Sequence, residues 1–315
     1  MMRVLVTGGR GYIGGRLVKS LAANPSFKLT VASRAHFETE KGPWVTVDWH
    51  ESASVDAMCR GQDAIVHLAA MNEIESEANP EEALKINGLA VLTLVRAAAA
   101  AGVARLIYVS SSKVFGNNPA GTLSEASVPR PVSHYAITHL VAEDYVLAAR
   151  VKLKLDGIVL RLSNSLGAPA DPAVNAWMLI ANDLCRQAAT AQRIILHSSG
   201  LAWRNFISMA DVVGAIHHLL TLSQEHIDDG LFHLGGQRSD RIWDIAQLIH
   251  QRAEQLFGHR VDLERATPSP DEQHPLLDWR IEKLLASGWR PRQPLQDEID
   301  DTLRLCRDAF GKASP

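Results

Sequence analysis

The sequence predicts a doubly wound α/β fold, and two observations carry that expectation. Short continuous apolar runs alternate with helix-compatible segments through the first 160 residues, and a glycine-rich turn follows the first run directly. Apolar strands without polar alternation indicate a parallel sheet covered by helices on both faces.

The strands expected are Val4–Thr7, Leu29–Ala32, Trp44–Val47, Ala64–Leu68, Arg105–Ser110 and Gly157–Arg161. Helical segments lie between them at Gly14–Ala23, Ala53–Cys59, Pro80–Ala101 and His134–Val151. The alternation loosens after Asn164. Helices are expected there at Asn175–Gln187, Ala210–Leu222, Ile242–Leu256, Arg280–Ala286 and Leu295–Phe310, with short strands near Ile194–Leu196 and Leu231–Leu234. Thr267–Pro275 holds three prolines and is a loop. The expected division is a dinucleotide-binding unit over 1–165, with returning segments near 194–236, and a smaller substrate lobe over 166–315.

Composition narrows the function classes. The chain has 315 residues, 46% hydrophobic and 21% charged, which suits a folded protein with a large core. A net charge of −3 gives no electrostatic reason to expect nucleic acid or an anionic membrane surface. Its three cysteines, Cys59, Cys185 and Cys306, are too few and too scattered for a disulfide framework or a metal cluster. They read as small hydrophobes in a reducing compartment, so a cytoplasmic protein is expected. The longest mainly apolar stretch, Leu89 to Val103, is interrupted by Thr93 and Arg96 and reads as a buried helix rather than a membrane span.

Gly8, Gly11 and Gly14 of Thr7-Gly8-Gly9-Arg10-Gly11-Tyr12-Ile13-Gly14 sit between the first strand and first helix. This spacing permits a tight turn, a close backbone approach to a pyrophosphate, and close packing of helix on strand. The helix start then offers unpaired N–H groups to phosphate. The second strand ends in Ser33-Arg34 with no acidic residue for ribose hydroxyls. Ser33 and Arg34 suit a 2′-phosphate, which favours NADP over NAD; a solvated arginine is the plain alternative. Asp48 follows the third strand, where it would contact adenine or simply face solvent.

A series of further motifs gives the chain a family resemblance. They are His67-Leu68-Ala69-Ala70, Asn87 in Lys85-Ile86-Asn87-Gly88, and Val109-Ser110-Ser111-Ser112-Lys113-Val114-Phe115-Gly116. The Tyr135 helix, Arg161-Leu162-Ser163-Asn164, Arg204-Asn205-Phe206-Ile207 and Phe232-His233-Leu234-Gly235-Gly236 follow in the same order. With the glycine loop, this set resembles the extended short-chain dehydrogenase/reductases, also called NAD-dependent epimerase/dehydratases.

The resemblance implies an oxidoreductase working on a nucleotide sugar at a 4-keto or 4-hydroxyl carbon. Ser111, flanked by Ser112, would bind the reacting oxygen, Tyr135 would exchange its proton, and Asn87 would support a proton-relay water. Arg10, Tyr12, Ile13, Leu68, Ala69 and Ala70 would join the glycines around the cofactor. Asn164, Arg204 and Arg280 would hold the diphosphate, and Met71–Glu75 would line the sugar pocket or present a solvated acidic face. It also implies a homodimer joined through Pro80–Ala101 and His134–Val151 as a four-helix bundle.

Two positions depart from the family pattern. Where Tyr-x-x-x-Lys is the rule, the chain reads Tyr135-Ala136-Ile137-Thr138-His139. Residues 135 and 139 share a helix face, so His139 still reaches a ribose, but a mostly neutral imidazole supplies no fixed cation. Lys113 is either a surface lysine or a substitute charge. The 4,6-dehydratases of the family place Asp-Glu after the catalytic Ser/Thr, whereas this chain has Ser112-Lys113, which disfavours dehydration. The NADP-leaning end of the second strand favours a reductase, with a 4-epimerase retaining NAD, or a non-catalytic nucleotide sensor, as alternatives.

Overall fold

The computed structural model describes residues 1–34 and 44–311. Seven strands form one parallel sheet: β1 (Met2–Thr7), β2 (Phe27–Ser33), β3 (Trp44–Thr46), β4 (Ala64–His67), β5 (Arg105–Ser111), β6 (Asp156–Leu162) and β7 (Leu231–Leu234). Their order is β7-β6-β5-β4-β1-β2-β3, and every neighbouring pair is parallel. The chain turns from one side of β1 to the other when β4 follows β3, and a crevice opens outside the carboxyl ends of β1 and β4.

Each sheet face carries its own core. Helices α1 (Tyr12–Ala22) and α7 (Met209–Thr221) cover one face through Leu17, Leu21, Val212 and Ile216. Helices α2 (Ser52–Cys59), α4 (Pro80–Ala100) and α5 (His134–Lys152) cover the other through Val55, Leu94, Val95 and Val146. By length and composition α4 could cross a membrane, yet half of that apolar window is buried, and its core-facing residues pack on the sheet.

Helix α4 is not a uniform α-helix as the pattern suggests. Leu84–Leu89 form a π-helical turn between α-helical Pro80–Ala83 and Ala90–Ala100. The wider turn, a feature that often marks functional sites, buries Asn87 and Gly88 toward α5.

A third core, built from Leu166, Leu184, Phe206, Ile249, Val261 and Leu303, belongs to the second lobe. It joins α6 (Ile180–Ala191), α8 (Ile242–Phe257) and α9 (Leu295–Phe310). Arg193–Leu196 pairs with Asp262–Arg265 here, so the return toward the sheet starts near Phe206 rather than near 194. A further segment comes back unforeseen: Trp279, Ile281, Leu284 and Trp289 pack into the sheet core beside Phe232. Helix α6 starts at Ile180, five residues later than its expected beginning at Asn175, and residues 167–179 form an irregular loop at the crevice. Cys59, Cys185 and Cys306 are all buried and free.

Two contacts fix the lobe against the glycine turn. The Tyr12 hydroxyl donates to the Gly167 carbonyl (3.0 Å), and Arg16 pairs with buried Glu298 of α9 (2.7 Å). Glu298 also accepts from the Ala210 amide, so a single carboxylate ties α1, α7 and α9.

Candidate active site

The glycine turn is built for close backbone approach. Gly8 has a φ of +67°, and a Cβ there would lie 2.7 Å from the Ala69 nitrogen. A Cβ on Gly14 would lie 2.1 Å from the Gly8 carbonyl oxygen. The Gly11 amide closes the turn onto that carbonyl at 2.9 Å, and Tyr12 then begins α1. Early helical N–H groups therefore face the crevice, where a pyrophosphate is favoured by both hydrogen bonding and the helix dipole.

From this turn a cleft of about 490 Å³ runs across the ends of β4, β5 and β6. Gly8, Gly11, Tyr12, Ile13, Gly14, Leu68, Ala69 and Ala70 line one end, and Ser111, Ser112, Tyr135, His139 and Asn164 the other. Residues from five separate stretches of the motif series thus meet in one cavity. Asn175, Met178 and Leu179 of the irregular loop close it with Ile180 and Ala181 at the start of α6; the loop gave no sequence signal because it has no periodicity.

The reacting end combines an unionised phenol with a neutral imidazole. Burial pushes the Tyr135 phenol up to about 12, against the downward pull of a hydrogen bond with Ser111. Burial takes His139 down to about 4. The rings lie 4.3 Å apart, one helical turn from each other. His139 Nδ1 meets the Tyr108 hydroxyl at 2.6 Å, while its Nε2 is buried with no protein partner. An orphaned nitrogen in the cleft, together with the glycine cradle that any Cβ would fill, fits a nicotinamide dinucleotide. His67, pushed down to about 3 by burial, is held by Thr7 at 2.8 Å and also stays neutral.

A second layer braces this end. Ser110 donates to Glu143 at 2.5 Å, and Arg161 donates to the other Glu143 oxygen at 2.7 and 3.0 Å, all three residues being buried. Burial raises the Glu143 carboxyl against the opposing pull of Arg161. Glu143 continues the stripe 135–139–143 on one face of α5, a spacing visible in the sequence. Tyr108 had no such signal, because a strand buried on both faces does not reveal where each side chain points.

Several predicted residues stand elsewhere or do other work. Asn87 clips the Met71 backbone, accepting from its amide (2.8 Å) and donating to its carbonyl (3.3 Å) and to Thr138 (3.2 Å). These bonds hold the start of the 71–75 segment in place. Glu75 caps α3 (Glu73–Ala78) with Asn72, whereas Glu73 pairs with Lys113 at 3.2 Å beside the cleft. Arg280 is exposed and paired with Asp278 and Glu282, so its charge is already used away from the cleft.

Arg204 lines a smaller cavity with Ser112, Lys113 and Asn164, its guanidinium bonded to the Trp203 and Asn117 carbonyls and to Asn118. Asn164 lines both cavities and donates to the Asn205 carbonyl at 3.0 Å. Ser33 and exposed Arg34 end β2 beside β1, and exposed Asp48 accepts from the His50 amide at 2.9 Å. These three, like exposed Arg10, are not among the residues lining the main cleft.

Comparison with known proteins gives the same frame. A family model described as the NAD dependent epimerase/dehydratase family matches residues 4–235. The human dTDP-D-glucose 4,6-dehydratase is 27% identical over 98% of this chain and 91% of its own. The dTDP-L-rhamnose 4-epimerase of Burkholderia thailandensis is 26% identical over 95% of this chain and 93% of its own. Among solved structures, the UDP-glucose 4-epimerase of Thermus thermophilus in complex with NAD superposes with a TM-score of 0.80 at 25% identity, covering 98% of this chain and 100% of that one. MoeE5 in complex with UDP-glucose and NAD gives 0.79 at 25% identity, covering 98% and 99%. A parallel sheet with the glycine cradle at its switch point, a hydrogen-bonded Ser111–Tyr135 pair in the cleft, and a family match over most of the chain lead to one assignment: the chain belongs to the NAD dependent epimerase/dehydratase family.

Proposed function

We propose that the protein is an NAD(P)-dependent oxidoreductase acting on a nucleotide-activated sugar, at a 4-keto or 4-hydroxyl carbon. The observation that carries this reading is the convergence of Ser111, Tyr135 and His139 at the far end of the cleft that begins at the glycine cradle. The relatives named above act on dTDP- and UDP-sugars, which supports the substrate class. Asn164 and Arg204 would meet the diphosphate, Arg204 after releasing Asn118; its planar fork suits paired phosphate oxygens.

The nicotinamide, when bound, supplies or accepts a hydride. Ser111 would orient the sugar oxygen by hydrogen bonding, and Tyr135 would give it a proton in the reduction or take one in the oxidation. His139 would hold the nicotinamide ribose through Nε2. The loop carrying Met178 and Leu179, with Ile180 at the start of α6, would keep water from the reacting carbon. Dehydration finds little support in this site: Ser112 and Lys113 follow Ser111, and Lys113 is neutralised by Glu73.

NADP is the favoured cofactor on the strength of Arg34, exposed at the end of β2 with no acidic neighbour in Ser33. Arg34→Ala is expected to lower the preference for NADPH over NADH by about tenfold, as loss of a charge-assisted phosphate contact would. Leu84 and Leu89 on α4, with Ile137 and Tyr145 on α5, leave apolar side chains exposed, which supports pairing with a second copy through those helices.

Incubation with UDP-, dTDP-, GDP- and CDP-sugars and their 4-keto forms, with either cofactor, tests the proposal. Cofactor consumption matched by sugar product supports a reductase. Inversion with tightly retained nicotinamide identifies an epimerase instead. Binding with no turnover of any sugar would reject the enzymatic reading in favour of a sensor, the reading that His139 motivates.

A further inference from the structure

Tyr108 lies in the middle of β5, fully buried, with its ring between His67 and His139: centroids are 5.9 Å from the first and 5.7 Å from the second. Among the described residues its hydroxyl has one hydrogen-bond partner, His139 Nδ1 at 2.6 Å. That single contact constrains two protons. A buried phenol whose O–H lacks an acceptor keeps its full desolvation cost. If Nδ1 carried the imidazole proton it would donate to the phenol oxygen, and the phenol proton would have no acceptor. With Tyr108 donating to Nδ1, the phenol proton and Nδ1 are both satisfied, only Nε2 is left for a ligand to meet, and a neutral imidazole must then carry its proton there. That nitrogen is buried, without a protein partner, on a residue that lines the cleft.

We infer that Tyr108 is a positioning residue which fixes His139 as the Nε2–H tautomer, offering one neutral N–H donor to a ligand in the cleft that His139 lines. The dyad offers a directed donor where a lysine would offer a mobile cation with three. Burial supports the arrangement, because it holds the Tyr108 phenol well above its usual 10 and His139 at about 4, so neither ionises near neutrality. What the donor meets, a nicotinamide ribose, rests on the proposed oxidoreductase function; the tautomer itself does not.

Histidine-ring nitrogen NMR on the cofactor-free protein reads the tautomer directly, with the His139 signals identified by their loss in His139→Lys. Protonation on Nε2 is the expected result, and protonation on Nδ1 overturns the inference. In Tyr108→Phe the ring is expected to become a mixture of tautomers, and the NADPH dissociation constant to rise about three- to tenfold. An unchanged ring and affinity in that variant would also overturn it. The same Tyr108→Phe change on a His139→Lys background is expected to alter NADPH affinity by less than about twofold, since lysine has no tautomer to set. An equal loss on both backgrounds would mean that Tyr108 acts through packing alone. If the wild-type chain bound neither NADPH nor NADH, the proposed function would fall, while the NMR result would still decide the tautomer.

Discussion

Tyr135 and His139 pack against each other along one face of α5, ring centroids 4.3 Å apart and planes tilted by 56°. The contact puts a neutral ring, rather than a cation, beside the phenol proposed to exchange the proton.

The first consequence concerns pH. With Tyr135 held near 12, the tyrosinate needed for sugar oxidation is scarce at pH 7, and kcat/KM for oxidation is expected to rise about tenfold per unit to beyond pH 9. A cation about 4 Å away at an effective dielectric of about 20 contributes roughly 4 kcal/mol, or about three pKa units. His139→Lys, once its own desolvation is subtracted, should move the alkaline limb down by one to three units (order of magnitude). A pH–rate profile unmoved in that variant would show that Tyr135 is not the proton carrier.

Gly14→Ala places a methyl 2.1 Å from the Gly8 carbonyl, a backbone atom that cannot swing away. The cradle must open, and NAD(P)H affinity is expected to fall by about tenfold or more, equivalent to at least about 1.4 kcal/mol. Gly214→Ala serves as the comparison, since its nearest neighbour to a new Cβ is Trp289 at 3.9 Å. Fluorescence titration with NADPH on both variants measures the difference.

The buried Glu143–Arg161 pair carries a stability prediction. Glu143→Gln leaves the Arg161 guanidinium buried with its charge uncompensated, and the expected loss is about 3–5 kcal/mol. Melting temperature should drop by roughly 1–2 °C for each kcal/mol. Replacing the two together by Leu and Met should recover much of the loss, because desolvation of the ions is removed along with their attraction. Thermal unfolding of the single and double variants decides it.

Three buried histidines set an acid limit on stability. Burial holds His67 and His233 at about 3 and His139 at about 4, with Arg161 also lowering His233. In the unfolded chain they bind protons near pH 6.5. The unfolded state therefore takes up more protons between about pH 6.5 and 4, so their neutral burial costs nothing above pH 6.5 and destabilises the fold progressively below it. Unfolding free energy is expected to fall across that interval, with a shallower slope in His233→Phe. The slope is the readout, since the substitution also changes packing against Trp279, whose ring stacks on His233 at 4.1 Å.

Much of the fold and the outline of the site were legible beforehand for identifiable reasons. Parallel strands buried on both faces leave continuous apolar runs, so β1, β2, β4, β5 and β6 stood close to their expected bounds. The glycine spacing announced a cradle because steric limits on Cβ are local. The His67 and Ser111 motifs pointed to one cleft because each lies at the carboxyl end of a parallel strand, and Tyr135 stands in the first turn of a helix packed beside β5. The short strand Trp203–Ser208 and the return of Trp279–Trp289 were hidden, since their register depends on distant partners, as with Phe206 opposite Asn164.

The sequence by itself determined the class of chemistry: a glycine turn between strand and helix, a tyrosine and histidine four apart, and a serine two residues before the Lys113–Val114 turn. Tertiary structure decided how those groups are charged and who holds them. Asn87 became a clip for Met71, Arg280 was spent on Asp278 and Glu282, and Tyr108 was brought against His139. Hydrogen-bond partners and burial are properties of neighbours far apart in the chain, and the energy of an ionisable group depends on both.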